Sequence, residues 1–402
     1  MKGLKTLVFL AVLVLTGAWT RAASAYPWMI RHGQTACATC HLDPSGSGIL
    51  TAYGRVQGDV LLRDHYTSDG KPSASPSTSG LSKTRGFLWG AVDPPSWLLL
   101  GGSYRGMLLF SQPPSPAPPI KRFIQMQADF KLGLRPGIFR ASVTLGYAHG
   151  GALSAALTTR DKDNLVSREH WAGVALADDA VLVRAGRMAL PFGLRNIEHN
   201  AYARASTRTD LNDAQQYGLA VSYSDKKSRG EVMAILGNFA LHPDDYRERG
   251  YSALFEYFVI DSVGVGVSSL RTQALRDVKT RVAYVRQAHG LFVRASPWEP
   301  LAILAEGDVL LLSPDTGTTS AGYTGLLQAD LEARQGMHVM LTGEVLRPPQ
   351  PDAQPSLGGW VTLDWFFFPH LDLRADAILS RVAAGGTHAT ITTYLLQIHA
   401  YL

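Results

Sequence analysis

The chain has 402 residues, a formal net charge of +5 at pH 7, 46% hydrophobic residues and only two cysteines. Its positive charge is modest and scattered, and no dense basic stripe with interleaved aromatic residues occurs, so nucleic-acid binding has little support. The length is more than one small domain needs. No apolar run is long enough to cross a bilayer as a helix, so a helical membrane protein is not indicated.

The first 25 residues have the pattern of a secretory signal peptide. Lys2 and Lys5 supply the positive start, residues 7–18 the apolar run, and residues 23–25 (Ala-Ser-Ala) the small-residue cleavage site. No cysteine follows this site directly, so a lipoprotein anchor is not expected. The sequence therefore predicts export to the bacterial envelope, with a mature chain that begins at Tyr26.

The two cysteines lie three positions apart, and a histidine follows the second one, as Cys37-x-x-Cys40-His41. This is the attachment signature of c-type haem, in which the thiols form thioether bonds and the histidine is the proximal iron ligand. We predict one haem c, bound covalently by Cys37 and Cys40 with His41 as axial ligand. A zinc site would need further ligands, and a thioredoxin-like motif would lie beside a βαβ pattern. A disulfide between the two cysteines is compatible with the spacing.

The second axial ligand of such a haem is not determined by the sequence. His32 and His65 are the two leading candidates for a distal ligand, and Met29 also lies near the motif. A histidine of the barrel described below, such as His338 or His399, could serve instead. Five-coordinate iron is a further alternative.

Composition divides the rest of the chain into three parts. Residues 26–67 form the predicted haem segment, with α-helical or irregular structure. A segment of about 40 residues rarely folds alone, and covalently bound haem would stabilise it as a cross-link. Residues 68–96 are rich in Ser, Pro and Gly and predict a flexible linker. From residue 97 to residue 402 the chain changes to short alternating stretches separated by turns.

The C-terminal part has the period-two alternation of apolar and polar residues that is typical of an outer-membrane barrel. We predict an all-β fold, a transmembrane antiparallel β-barrel of about sixteen strands. The predicted strands are centred near Leu100, Met126, Val143, Gly173, Val183, Val221, Met233, Phe255, Val265, Tyr284, Leu304, Leu327, Val339, Val361, Leu373 and Leu396.

Loop lengths distinguish this barrel from a soluble β-sandwich, whose strands also alternate. Short and long connections follow each other strictly, as periplasmic turns and outward loops do. Residues 191–213 form one of the long connections, and both ends of the barrel would lie on the periplasmic side. Aromatic residues at short turns predict a girdle at the inner interface: Trp298, Trp365, Phe366, Phe367 and Phe368.

The inward face of the strands predicts a polar lumen. Acidic and basic side chains alternate with the apolar ones, namely Asp129, Glu306, Asp308, Asp330, Glu332, Glu344, Asp372 and Asp376 together with Arg122, Lys131, Arg140, Arg184 and Arg374. Ordinary polar lining explains these residues. The carboxylates of Glu306, Asp308, Asp330 and Glu332, on neighbouring strands, could in addition attract cations.

The layout resembles the fused outer-membrane monohaem cytochrome c–porin family, whose best-known members are bacterial ferrous-iron oxidases. The matching stretches are residues 25–31 (Ala-Tyr-Pro-Trp-Met-Ile-Arg), the motif at residues 37–41, and residues 50–55 (Leu-Thr-Ala-Tyr-Gly-Arg). Residues 183–187 and 191–195 also resemble segments of anion-selective porins. The resemblance implies haem attachment at residues 37–41, a barrel of sixteen strands, and Fe(II) oxidation as a possible activity.

A redox cofactor tethered to a membrane-spanning barrel predicts an electron-transfer protein. In the leading hypothesis, electrons pass between an extracellular donor or acceptor and a periplasmic cytochrome or other carrier. The haem segment would lie in the periplasm or in the lumen, and outer-membrane lipid would surround the barrel. The alternative is a solute porin whose haem segment is a periplasmic sensor or gate.

Overall fold

A computed structural model of the chain contains a closed barrel of sixteen antiparallel strands. The structure describes residues 26–33, 35–62, 87–114, 116–149, 163–196, 198, 201–211, 214–241, 243–277, 281–384 and 387–402. The predicted signal peptide, His65 and most of the predicted linker lie outside the described residues. Among those described, no helix is both long and apolar enough to span a bilayer.

The strands follow one another around the barrel, and β1 closes the ring by pairing with β16. Each predicted centre falls in a different strand, in chain order, which confirms sixteen. The strands are β1 Leu98–Gln112, β2 Ile120–Leu134, β3 Phe139–His149, β4 Asp163–Leu176, β5 Val181–Met188, β6 Gln216–Ser224, β7 Ser228–Gly237, β8 Arg249–Ile260, β9 Val263–Ala274, β10 Tyr284–Trp298, β11 Leu301–Pro314, β12 Ser320–Arg334, β13 Met337–Arg347, β14 Ser356–Phe368, β15 Leu371–Ala384 and β16 Thr387–Tyr401.

Alternation along the strands separates an apolar outer face from a polar lumen, as predicted. On β13, Leu341 is 56% exposed on the outer face, whereas His338 is buried in the lumen with Glu344. The other predicted lumen residues are also buried or largely buried, with one exception. Arg122 is exposed near the end of β2, beyond the part of that strand that pairs with β3.

Residues 26–62 form a segment that lies against the inner face of the barrel, and we call it the N-terminal segment. It consists of 3₁₀ turns at Pro27–His32 and Cys37–Thr39, helix α1 at Ala52–Gln57 and a π turn at Gly58–Leu62. Trp28, Met29 and Ile30 pack with inward-facing Phe258, Phe292 and Phe366 in one apolar cluster. A further helical turn, α2 at Phe87–Gly90, precedes β1.

The N-terminal segment lies at the end of the barrel where the short turns are. Arg31 donates to the carbonyl of Pro300 in the β10–β11 turn, and Gln335 of the β12–β13 turn donates to the carbonyl of Val60. Phe366 contacts Tyr26 and His338 inside the barrel and is 1% exposed, so its assignment to the aromatic girdle was wrong. Trp298, Phe367 and Phe368 are exposed at turns, in accordance with that prediction.

The connection between β5 and β6 folds inward, contrary to the prediction of an outward loop at residues 191–213. We call the described residues of 189–215 the inner loop; it includes helix α3 at Tyr202–Thr207. Phe192 and Leu194 are fully buried, and the Leu194 amide donates to Glu306 Oε2 on β11 over 2.9 Å. Burying these apolar side chains in the lumen is favourable in free energy relative to exposing them to water. The loop therefore folds inward and fills space that an outward loop would leave open.

Candidate functional site

The Cys37-x-x-Cys40-His41 sequence forms a tight turn in the N-terminal segment. The carbonyl of Cys37 accepts hydrogen bonds from the amides of Cys40, at 3.1 Å, and His41, at 2.9 Å. His41 then pairs with Leu50 in an isolated antiparallel bridge. Both cysteines are buried, and no disulfide joins them in this structure.

Cys37 is fixed to the barrel wall through an arginine. The Arg229 guanidinium donates to Cys37 Sγ over 2.9 Å and to Glu256 over 2.5 Å. Glu256 also binds Arg294, which donates to the carbonyl of Thr35 at 2.9 Å. The first cysteine of the motif is therefore held in register with β7, β8 and β10.

Helix α1 supports the second cysteine. Its N-cap residue Thr51 accepts from the amide of Gly54 through its hydroxyl, and that hydroxyl contacts the carbonyl of Cys40 at 3.3 Å. The Thr51 amide donates to the same carbonyl at 2.8 Å. A Cβ atom on Gly54 would lie 2.2 Å from this carbonyl oxygen, so only glycine permits the approach.

We therefore expect Gly54→Ala to displace Cys40 and to lower the yield of covalently bound haem. The clash involves backbone on both sides, so relaxing it moves the motif and costs about 1–3 kcal/mol. Covalent haem per barrel, from the pyridine haemochrome spectrum, measures the effect. Gly343→Ala is the matched control because a Cβ there meets no atom within 4 Å. Equal haem content in the two variants would contradict the role given to Gly54.

One ring nitrogen of His41 contacts the N-terminal segment, and the residue also borders a cavity. Nδ1 lies 3.1 Å from the carbonyl of Ser47, which favours a proton on that nitrogen. Among the described contacts Nε2 has no hydrogen bond. Burial, and then the charge of Lys131, lower the pKa of His41 to about 4, against the opposing influence of Ser47 and Asp43. The ring is therefore neutral at pH 7, as a metal-ligating histidine must be.

This lowered pKa predicts that acid loosens the N-terminal segment when no haem is attached. A depressed folded-state pKa gives stability that is complete above the unfolded value of about 6.5 and is lost as the pH falls toward 4. Protease cleavage of residues 26–62 in Cys37→Ala/Cys40→Ala should therefore accelerate between pH 6.5 and pH 4. Adding His41→Gln should remove the part of this acceleration that titrates in that window. An unchanged profile would contradict the assignment.

The cavity beside His41 lies between the N-terminal segment, the barrel wall and the inner loop. The cavity is partly open, and its empty space of about 1190 Å³ includes some open solvent. Four basic and two acidic side chains border it, namely Arg105, Lys131, Arg168 and Arg195, with Asp129 and Glu169. Lys131 reaches the carbonyl of Gly48 at 3.1 Å, and the Ser47 hydroxyl reaches Glu169 at 3.1 Å. These contacts hold the wall and the His41 turn together.

The structure separates the predicted distal ligands. His32 lies against Glu332, with 3.4 Å between Nε2 and Oε2, and does not border the cavity at His41. Met29 is fully buried in the apolar cluster, and His338 packs against Trp28 there with its ring tilted by 40°. His399 does border the cavity: its Nδ1 lies 2.9 Å from Asp372, and its Nε2 lies 3.1 Å from Ser103.

Three of the four carboxylates that could have attracted cations are instead occupied by basic groups of the chain; both carboxylate oxygens of the fourth, Asp308, are without a hydrogen-bond partner among the described residues. Arg31 binds Asp330 and lies 3.8 Å from Glu332. Arg204 of α3 binds Glu306. In the part of the chain that the structure describes, no group of three or more His, Cys, Asp or Glu side chains can hold a metal ion.

Comparison with known proteins places the barrel among porins. No family model matches the chain, and no curated protein does. A loop L8 deletion mutant of OmpT, an outer membrane protein of Vibrio cholerae, has a TM-score of 0.59 at 10% identity, covering 76% of this chain and 99% of that one. An anion-selective porin from Comamonas acidovorans has a TM-score of 0.56 at 12% identity, covering 76% and 99%. The DcaP channel of Acinetobacter baumannii has a TM-score of 0.55 at 11% identity, covering 76% and 97%.

The chain folds as a porin-type β-barrel. At these identities the likeness concerns the fold alone, and it covers about the share of the chain that follows residue 97. The N-terminal segment is therefore additional to the porin-type barrel. The cytochrome part of the family resemblance is not shown by these comparisons.

The groups in this porin-type barrel are chemically compatible with the predicted haem. His41 offers a neutral imidazole whose Nδ1 is fixed by a carbonyl, the arrangement that orients ligating histidines. Burial, and then Cys37, raise the pKa of the Cys40 thiol to about 12, so it is uncharged and tolerates its buried position. The adjacent space is bordered by basic side chains that suit an anionic group. Cys37, Cys40 and His41 are the residues that would hold the cofactor.

Sequence reasoning missed the residues that complete the site from a distance. Arg229, Arg195 and Arg105 come from β7, the inner loop and β1, so nothing in their spacing relates them to the motif. Arg195 did belong to the segment that resembles anion-selective porins. The signal in the sequence that could have identified Arg195 is its position directly after an apolar stretch, residues 189–194, within a loop.

Proposed function

We propose that this chain is a haem-bearing barrel of the bacterial outer membrane that moves electrons between the two sides of that membrane. The observation that carries the proposal is the position of His41, which directly follows the two cysteines, beside a cavity inside the barrel; Cys37 borders a second, smaller space that Arg195 also lines. When bound there, a haem supplies a one-electron redox centre within the thickness of the barrel. A redox centre in that position shortens the insulating distance that electrons have to cross.

The residues of the chain have distinct roles in this proposal. Cys37, Cys40 and His41 would hold the cofactor, with the carbonyl of Ser47 fixing the orientation of the His41 ring. Arg229 positions Cys37 against the wall. As a further residue that would hold the cofactor, His399 is a better candidate than His32, because it borders the same cavity as His41; its Nδ1 is oriented by Asp372, and its Nε2 contacts Ser103 in this structure.

The filled lumen supports electron transfer over free solute flow. The N-terminal segment occupies the short-turn end, and the inner loop crosses the lumen to β11. In the proposed orientation the short turns face the periplasm, so a periplasmic cytochrome or other carrier would approach the N-terminal segment. An extracellular donor or acceptor would approach from the long-loop end. Fe(II) as that donor follows only from the family resemblance.

A solute porin with a haem-bearing gate is the second candidate function. The structural comparisons favour it, because the similar structures are described as an anion-selective porin and an outer membrane channel. In this alternative the N-terminal segment opens or closes the lumen, and the redox state of the haem controls the opening.

Reconstitution in liposomes distinguishes the two candidates. Matured protein is inserted with a redox dye enclosed, and a membrane-impermeant reductant is added outside. Electron transfer predicts reduction of the dye by the wild type and none by Cys37→Ala/Cys40→Ala. Arg122→Gln, an exposed substitution on β2, is the control and should behave as the wild type. A colourless matured protein, or equal dye reduction with and without the cysteines, would refute the conduit; leakage of the dye itself would favour the porin.

A further inference from the structure

Two buried arginines at the cavity beside His41 have no hydrogen-bonded carboxylate among the described residues. Arg195 is 5% exposed, and none of its three guanidinium nitrogens has a hydrogen-bond partner among the described residues. Arg105 is 9% exposed, and its Nε is likewise without a partner there. Both side chains border the same space as His41. Burying an unpaired charge costs several kcal/mol, so such groups indicate a missing anionic partner.

The nearby described carboxylates bind other groups instead. Asp372 lies near Arg105, but it contacts His399 Nδ1 at 2.9 Å. Glu231 and Asp43 are near Arg195, but both bind Arg184 instead. Asp129 binds Arg168 at 2.7 Å, and Glu169 accepts from Ser142 and Ser47. With four basic and two acidic side chains on its border, the cavity has an excess of two positive charges.

The inner loop positions Arg195 at this cavity. The neighbouring Leu194 is fully buried, and its amide binds Glu306 on β11. Gly193 has a φ of +56° and permits the turn that aims the following residues across the lumen. Arg195 also borders a smaller cavity lined by Cys37 and Ser45, so it lies beside the attachment turn on two sides.

We propose that Arg195 and Arg105, with Lys131 beside them, form a binding site for a pair of carboxylates. A guanidinium binds a carboxylate through two parallel hydrogen bonds, which suits both arginines. Two carboxylates balance the excess of two positive charges. The inference rests in part on the proposed function, because the two propionates of a haem held by His41 are one source of such groups. A small dicarboxylate that enters the lumen is the other.

The first arm of the test measures the haem. Arg195→Gln leaves the propionate charge uncompensated near the iron, which disfavours the reduced form. We expect the equilibrium constant for reduction to fall about tenfold, which is 59 mV for a one-electron couple. Arg195→Lys should restore most of the loss, and Arg122→Gln, on the exposed end of β2, should have no effect. Arg105→Gln provides a second variant should Arg195→Gln fail to fold.

The second arm measures succinate binding by calorimetry. We expect succinate to bind Cys37→Ala/Cys40→Ala, about 10- to 100-fold more weakly after Arg195→Gln is added, and not to bind the haem-loaded protein. Binding to the haem-loaded protein as well would support the carboxylate site and assign it to a free solute. No effect of Arg195→Gln and Arg105→Gln in either arm would overturn the site. If the wild type contains no haem, the proposed function is refuted, but the carboxylate site is not. Succinate binding then still tests that site.

Discussion

Removing residues 26–62 from the mature chain should convert a poorly conducting barrel into a steady ion channel. These residues pack against inward-facing side chains of several strands, from Phe258 on β8 to Phe366 on β14. The barrel itself is closed by strand-to-strand pairing that does not involve them, so it should survive the deletion. Single-channel recording in planar bilayers measures the result. We expect long open events of uniform size from the truncated chain and only brief, small events from the full chain.

The control separates the bulk of the N-terminal segment from its cofactor. Cys37→Ala/Cys40→Ala retains all 37 positions of residues 26–62 but cannot form thioether bonds, so its conductance should stay as low as that of the wild type. If the truncated and full chains conduct equally, the segment does not obstruct the lumen. If the double cysteine variant alone opens the channel, the haem acts as a gate, and the solute-porin proposal gains support.

Much of the barrel could be predicted because the signal is local. The neighbours His338 and Val339 point to opposite faces of the same strand, and this alternation needs no knowledge of the rest of the chain. Loop length then distinguished a barrel from a sandwich. It could not indicate direction, however: residues 191–213 have the length of an outward loop, but Phe192 and Leu194 fold inward because the lumen offers them an apolar and hydrogen-bonded environment.

The site was predicted only where its residues are adjacent in the chain. The motif at residues 37–41 is contiguous, and its turn geometry is local. The partners of the turn are remote: Asp43 binds Arg184, and Cys37 contacts Arg229, pairs separated by 141 and 192 positions. Such contacts depend on the shear and closure of the barrel, which period-two alternation does not encode.

The chemistry of the lumen follows from this fold more than from any motif. A closed barrel turns half of each strand inward, and those side chains must be solvated or paired. Here the N-terminal segment and the inner loop supply part of the pairing, for example Arg31 with Asp330 and Arg204 with Glu306. Water in an open pore would do the same for an ordinary porin. Ion pairs that connect separate elements are therefore an indication that the lumen is built to be filled.

Arg184→Met should release the His41 end of the N-terminal segment from the wall and destabilise it by about 3–5 kcal/mol. The Arg184 guanidinium binds Asp43 and lies 2.6 Å from Glu231, and the side chains of Arg184 and Asp43 are both fully buried. Burial would raise the pKa of Asp43, but the contacts with Arg184 and Ser45 together lower it, so Asp43 is ionised. Without Arg184, two buried carboxylates would lose the cation that binds them both; Arg195 lies near them but binds neither.

Thermal unfolding in detergent and the rate of protease cleavage within residues 26–62 measure this effect. Asp43→Asn added to Arg184→Met should recover part of the lost stability, because it removes one of the two uncompensated charges. Arg122→Met, exposed on β2, should change stability by no more than about 0.5 kcal/mol. An Arg184→Met variant with the melting temperature and cleavage rate of the wild type would contradict the anchoring role. Asp43 lies only two positions from His41, so loss of its contact with Arg184 could also disturb the attachment turn. If Arg184→Met is destabilised but keeps its haem, the thioether bonds alone are enough to hold the turn.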